Sequence, residues 1–107
     1  MDTNADKLEF YVPETHVAEV KAAIFDAGGG RIGNYDNCCW QCAGTGQFRP
    51  CPGSNPFIGS QDVIEEVTEI KVELICSGEH LRSVIAALKQ SHPYETPAFQ
   101  YWPVNIE

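Results

Sequence analysis

Lys7-Leu-Glu-Phe-Tyr-Val12 runs directly into Pro13-Glu-Thr-His-Val-Ala-Glu-Val-Lys-Ala-Ala-Ile24. Later, Lys71-Val-Glu-Leu-Ile-Cys76 runs into Ser77-Gly-Glu-His-Leu-Arg-Ser-Val-Ile-Ala-Ala-Leu88. A constant offset of 64 positions (71 minus 7) pairs Glu9 with Glu73, His16 with His80, Val20 with Val84 and Ala22-Ala23 with Ala86-Ala87, without a gap. Each copy reads as a strand followed at once by a helix. A doubled strand–helix unit has few ways to close around one core.

Working outward, the first strand is expected over 7–12 and the first helix from Glu14 to Ala27. Val17, Val20, Ala23, Ile24 and Ala27 recur at helical spacing there. Gly28-Gly29-Gly30 stops that helix. A second strand is expected within Gly33–Cys42. Gly44-Thr-Gly46 reads as a turn, and Gln47–Pro50 as the return arm of a small hairpin. Cys51–Gly59, with two prolines and two glycines, reads as a loop. Over 64–76, Ile70, Val72, Leu74 and Cys76 alternate with Glu69, Lys71, Glu73 and Ile75, the period of a half-buried strand. Ser77 is an N-cap candidate for the second helix, with Leu81, Val84, Ile85 and Leu88 as its apolar stripe. Ser91–Pro97 is a proline-stiffened turn, and Ala98–Trp102 the last strand, stopped by Pro103.

The order β-α-β(hairpin)-β-α-β predicts an α+β ferredoxin-like sandwich: a four-stranded antiparallel sheet with both helices on one face and a small hairpin excursion. One domain spans 1–107. The face without helices is free for assembly.

The net charge of −8 repels phosphate backbones and anionic lipid, which argues against nucleic-acid or membrane binding. The acidic start Met1–Asp6 lacks the basic and apolar regions of a signal peptide, so a cytoplasmic location is expected. The five cysteines are odd in number, which points away from a disulfide framework.

Cys38, Cys39, Cys42 and Cys51 supply enough sulfur for a tetrahedral site holding zinc or copper. The spacing is not that of a standard zinc finger or ribbon, and the alternative is a set of structural thiols. Cys76 occupies an inward strand position. His16 and His80 stand at equivalent places in the two first helical turns, which duplication alone explains. His92 and Glu95 are held by Pro93 and Pro97. Together they can bind a divalent cation or exchange a proton, or they can lock the start of the last strand. The triple glycine follows a helix, so it is not a dinucleotide fingerprint.

Gly30-Arg-Ile-Gly-Asn-Tyr35, Gly44-Thr-Gly-Gln-Phe-Arg-Pro50, Gly53-Ser-Asn-Pro-Phe-Ile-Gly59 and His92-Pro-Tyr-Glu-Thr-Pro97 resemble the insert domain of the NGG-one-interacting-factor-three-like (YqfO-like) family, from Leu8 to Val104. The last segment also resembles CutA, the divalent-cation-tolerance protein. The resemblance implies the trimeric architecture that CutA shares with the signalling protein PII, hence a homotrimer. It also implies loops that bind a small molecule, a metal or a protein partner between subunits. In that family the two-metal site lies in the larger surrounding domain, whose ligands have no counterpart in this sequence. The cysteine cluster departs from the small and polar residues usual at its place.

The expectation is therefore a non-enzymatic, oligomeric, regulatory binding module. Arg31, Asn34, Tyr35, His92, Tyr94 and Glu95 are expected to line the region that meets a ligand or a neighbouring subunit. The alternative is a zinc- or copper-binding protein using the cysteines or His92 with Glu95. A small metal-dependent hydrolase is the remaining reading, and it lacks a nucleophile–base pair in the sequence.

Overall fold

The computed structural model describes residues 2–107. The elements are β1 (Asp2–Pro13), α1 (Val17–Asp26), β2 (Trp40–Phe48), β3 (Glu65–Ser77), α2 (Leu81–Ser91) and β4 (Phe99–Ile106), with a single 3-10 turn at Gly78–His80. Met1 lies outside the described residues.

The four strands form one antiparallel sheet in the order β2-β3-β1-β4. This is the expected sandwich. Along the middle of the two central strands alternate side chains are buried: Leu8, Phe10 and Val12 from β1, and Ile70, Val72, Leu74 and Cys76 from β3. They pack with Val20 and Ile24 of α1 and Val84 and Leu88 of α2 in one cluster. Strand side chains alternate between faces, so this cluster puts both helices on one side. The two helices pack on each other.

The repeat is visible in the register. Glu9 lies opposite its own counterpart Glu73, Lys7 opposite Ile75 and Tyr11 opposite Lys71. A local two-fold axis therefore passes between Glu9 and Glu73. The ion pairs on the helix-free face obey it: Lys7 Nζ lies 3.1 Å from Glu73, and Lys71 Nζ lies 3.5 Å from Glu9. Lys71 Nζ also lies 3.9 Å from Glu73. Glu9 first, and also Glu73, raise the pKa of Lys71.

Three sequence expectations are corrected. β1 starts five residues early, at Asp2 instead of Lys7, because its polar start pairs with the end of β4 at Ile106. α1 begins at Val17 rather than Glu14, after a turn in which the His16 amide donates to the Pro13 carbonyl. β2 is one continuous strand over 40–48, paired residue by residue with β3, and Gly44 and Gly46 lie within it. The small hairpin exists elsewhere, at Ile32–Tyr35, whose two ends exchange backbone hydrogen bonds of 2.9 Å.

Gly46 sits in the strand because the Glu69 carboxylate lies where its Cβ would be. Ser77 does precede the second helical segment. Its hydroxyl lies 2.9 Å from His80 Nδ1 and makes no hydrogen bond to a helical backbone amide. The His80 ring in turn lies against Gly28, whose φ of +110° favours glycine.

Candidate functional site

The chain between β2 and β3, residues 49–64, folds over one end of the sheet. Its two ends are tied by the Asp62 amide donating to the Pro50 carbonyl at 2.7 Å. Inside it, the Ser54 hydroxyl donates to the Cys51 carbonyl at 2.6 Å. A loop of this length with its own internal contacts is a compact surface element of the kind that carries function. Two contacts join it to the rest of the molecule. The Asn55 amide donates to Glu95 Oε2 at 2.9 Å, and the Phe57 ring meets His16 edge-on at 5.3 Å.

The facing wall is the turn between α2 and β4. His92 anchors it. His92 is 6% exposed. Its Nδ1 accepts from the Tyr94 amide at 3.1 Å, which fixes the proton on Nε2. Nε2 then donates to the Tyr11 carbonyl at 2.7 Å. Burial, the largest cause, lowers the His92 pKa, so the imidazole is neutral at pH 7. Tyr94 is thereby aimed at β3, and its phenol donates to Glu69 Oε2 at 2.8 Å. Burial first, then the Glu69 carboxylate, push the Tyr94 pKa upward, so the phenol keeps its proton.

Between these walls lies a half-open cavity of about 260 Å³. Aromatic side chains of Tyr11, Phe48, Phe57 and Tyr94 line it, together with the carboxylates of Glu69 and Glu95. Tyr94 and Glu95 were among the residues expected to line a ligand site. Tyr11, Phe48, Phe57 and Glu69 were not. His92 stands behind the cavity as a positioning residue. Neither of its ring nitrogens is free, so it does not pair with Glu95 around a cation, and each of the two residues locks a different backbone amide.

Arg31, Asn34 and Tyr35 lie elsewhere. Their hairpin follows Gly30, whose amide donates to the Ile75 carbonyl. Ile75 and Glu69 lie six positions apart on β3, about 20 Å of extended chain. The two groups expected to share a site occupy opposite ends of the sheet. Tyr35 is 76% exposed there.

The cysteines are likewise spread along the sheet. Cys38 and Cys39 precede β2, and Cys42 lies early in it, opposite Lys71. Cys51 lies beyond the far end of β2, and the run from Cys42 to Phe48 alone spans about 20 Å. Among the described residues no group of three or more His, Cys, Asp or Glu is placed to hold a metal ion. Cys76 is buried, and burial pushes its thiol up to about 11. Among the described residues no helix is long and apolar enough to cross a membrane.

The sequence is 48% identical over 94 residues to a protein of Mycobacterium leprae named GTP cyclohydrolase 1 type 2 homolog. It is 46% identical over 101 residues to the protein of that name from Halalkalibacterium halodurans. The matches cover 88% and 94% of this chain. The structure superposes on a Bacillus cereus protein related to NIF3 with a TM-score of 0.81 and 37% identity, over 95% of this chain. Nearly the whole chain is similar to one segment of proteins of the NIF3-like family. It spans about a quarter of the relatives' length: 24% and 27% of the two named above, and 26% of the Bacillus cereus chain. The fold is also that of CutA. The Xylella fastidiosa protein superposes with a TM-score of 0.68 at 16% identity, over 97% of this chain and 86% of that one. No protein-family model matches the chain. Within the NIF3-like segment, the loop over 49–64 and the turn over 92–98 form the walls of the cavity.

Proposed function

We propose that this NIF3-like segment is a non-enzymatic, oligomeric binding module with a regulatory role, taking a small ligand in the cavity between the 49–64 loop and the α2–β4 turn. The observation that carries this reading is the cavity itself. Its walls come from two loops tied together by Glu95 and Asn55, over a rigid sheet end. Its fixed polar groups, Tyr94 and Glu69, satisfy each other and leave no activated nucleophile. A site of that kind recognises rather than reacts. The activity named for the longer relatives describes chains about four times as long and is not carried to this segment.

The oligomer we propose is a homotrimer. In support, β2 and β4 are edge strands with an unpaired side, and Trp40 (59% exposed) and Trp102 (41%) flank the charged ladder of the helix-free face. Those features fit contact with further copies of the chain.

The test is amide NMR titration of the intact chain with a library of small metabolites. Perturbations confined to residues 47–58 and 92–98 support the reading. Binding that leaves both segments unmoved, or turnover of any compound in the library, contradicts it.

A further inference from the structure

We infer that the cavity selects a small organic cation: an ammonium or quaternary ammonium group carried on an apolar body. This rests on the reading of the cavity as a ligand site and adds the ligand's charge and size.

Three observations combine. The first is the wall chemistry. Tyr11, Phe48, Phe57 and Tyr94 surround the space, and aromatic faces are negative at their centres. Such rings attract a cation, most strongly where water is excluded. Two of them are held in place: the Phe48 and Tyr94 rings lie 5.8 Å apart and tilted by 59°, and the Tyr94 phenol is tied to Glu69. The cage therefore needs little ordering when a ligand enters.

The second is charge. Glu69 and Glu95 both line the cavity, and no Lys, Arg or His does. The one hydrogen bond each receives there goes to Oε2: from Tyr94 to Glu69, and from the Asn55 amide to Glu95. Acceptor capacity remains on each carboxylate for an N–H or a positive charge. An anionic ligand would meet two carboxylates with no counter-charge in the lining, within a chain of net charge −8. A neutral apolar ligand would gain the walls and leave the carboxylates unused.

The third is size. About 260 Å³ lies just below the ~300 Å³ at which ordinary ligand sites begin, so the occupant is small. A bare metal ion is a poor match, because the carboxylates are two in number and the rest of the lining is mostly apolar.

The experiment is amide NMR titration of the intact chain with three probes of similar shape: benzyltrimethylammonium, its neutral carbon isostere neopentylbenzene, and the phenylmethanesulfonate anion. The expected result is that the cation shifts Asn55, Phe57 and Tyr94 and binds at least ten-fold more tightly than the isostere, while the anion leaves them unmoved. Glu95→Gln keeps an acceptor for the Asn55 amide and sits on an exposed turn, so the fold is retained. It should weaken the cation about ten-fold and leave the isostere unchanged. If the isostere or the anion binds as well as the cation, the charge inference is overturned and the ligand site stands. If none of the three shifts these residues, while a metabolite from the library does, the cation inference alone fails. If neither the probes nor the library shift them, the ligand-site reading fails as well.

Discussion

Replacing His92 with phenylalanine keeps a flat ring in the same buried place and removes both of its hydrogen bonds. The Tyr11 carbonyl then loses the 2.7 Å bond from Nε2, and the Tyr94 amide loses its 3.1 Å bond to Nδ1. Leaving a buried backbone group without a partner costs about 1–3 kcal/mol. His92 is 6% exposed, so water does not readily replace either bond. The sum is about 2–4 kcal/mol, taken toward the lower part of the range because the extra ring carbon adds some apolar burial. For a domain of this size about 1 kcal/mol moves the melting temperature by roughly 4–8 °C. His92→Phe should therefore melt roughly 10–20 °C below the parent chain. Thermal unfolding by circular dichroism at pH 7.5 reads this directly, with both proteins at one concentration so that assembly does not distort the comparison. The same variant should release Tyr94 from Glu69 and broaden the amide signals of residues 92–98. A melting temperature within about 2 °C of the parent, with those signals unchanged, would refute the anchoring role of His92.

The lowered pKa of His92 carries a sign. The unfolded chain binds this proton more tightly than the folded one, so the contribution to stability is complete above the unfolded value of about 6.5 and is lost as pH falls through the folded pKa. Stability should decline on acidification from pH 7 to 5, and His92→Gln should flatten that part of the profile in urea unfolding, with Glu69 and His16 as the charged neighbours that modulate it. Gly46→Ala places a methyl group against the Glu69 carboxylate, the movable end of a flexible side chain. It should cost less than about 1 kcal/mol in stability yet break the Tyr94–Glu69 bond, seen as loss of tyrosine fluorescence quenching by the carboxylate without a change in fold. Cys76 should resist iodoacetamide in the native state, because burial both hides its sulfur and raises its pKa to about 11, while Cys39, Cys42 and Cys51 are modified. Peptide mass spectrometry checks this, and early labelling of Cys76 would contradict its buried state.

The fold was largely legible because duplication leaves an offset that survives divergence. Lys7 with Glu9 and Lys71 with Glu73 announce two equivalent strands, and in the sheet those residues form the symmetric ion pairs. What was misread has local causes. Asp2–Asp6 are mostly polar in sequence, and pairing with the distant β4 and with the end of β3 makes them strand. Gly44 and Gly46 carry a turn signal, but Gly46 is there because a carboxylate from the neighbouring strand covers it. No single-strand pattern contains that contact.

The candidate site is half legible. His92, Tyr94 and Glu95 stand out between two prolines. Glu69, by contrast, reads as one more outward residue of an alternating strand, and only the approach of Tyr94 gives it a role. Phe57 lies in Cys51–Gly59, a stretch that its prolines and glycines mark as a loop, and that composition is the available signal for it. Arg31, Asn34 and Tyr35 lie at the opposite end of the sheet from His92, Tyr94 and Glu95, and sequence gives no direction in which a hairpin after α1 projects.

The proposed homotrimer draws on the helix-free sheet face and on the two edge strands, β2 and β4. Sedimentation equilibrium of the untagged chain measures this most directly. A single species of three times the chain mass, unchanged over a hundred-fold range of concentration, is the expected result. A monomer throughout that range would mean that the exposed tryptophans and free edges do not join copies of this chain, and the trimeric account would be wrong.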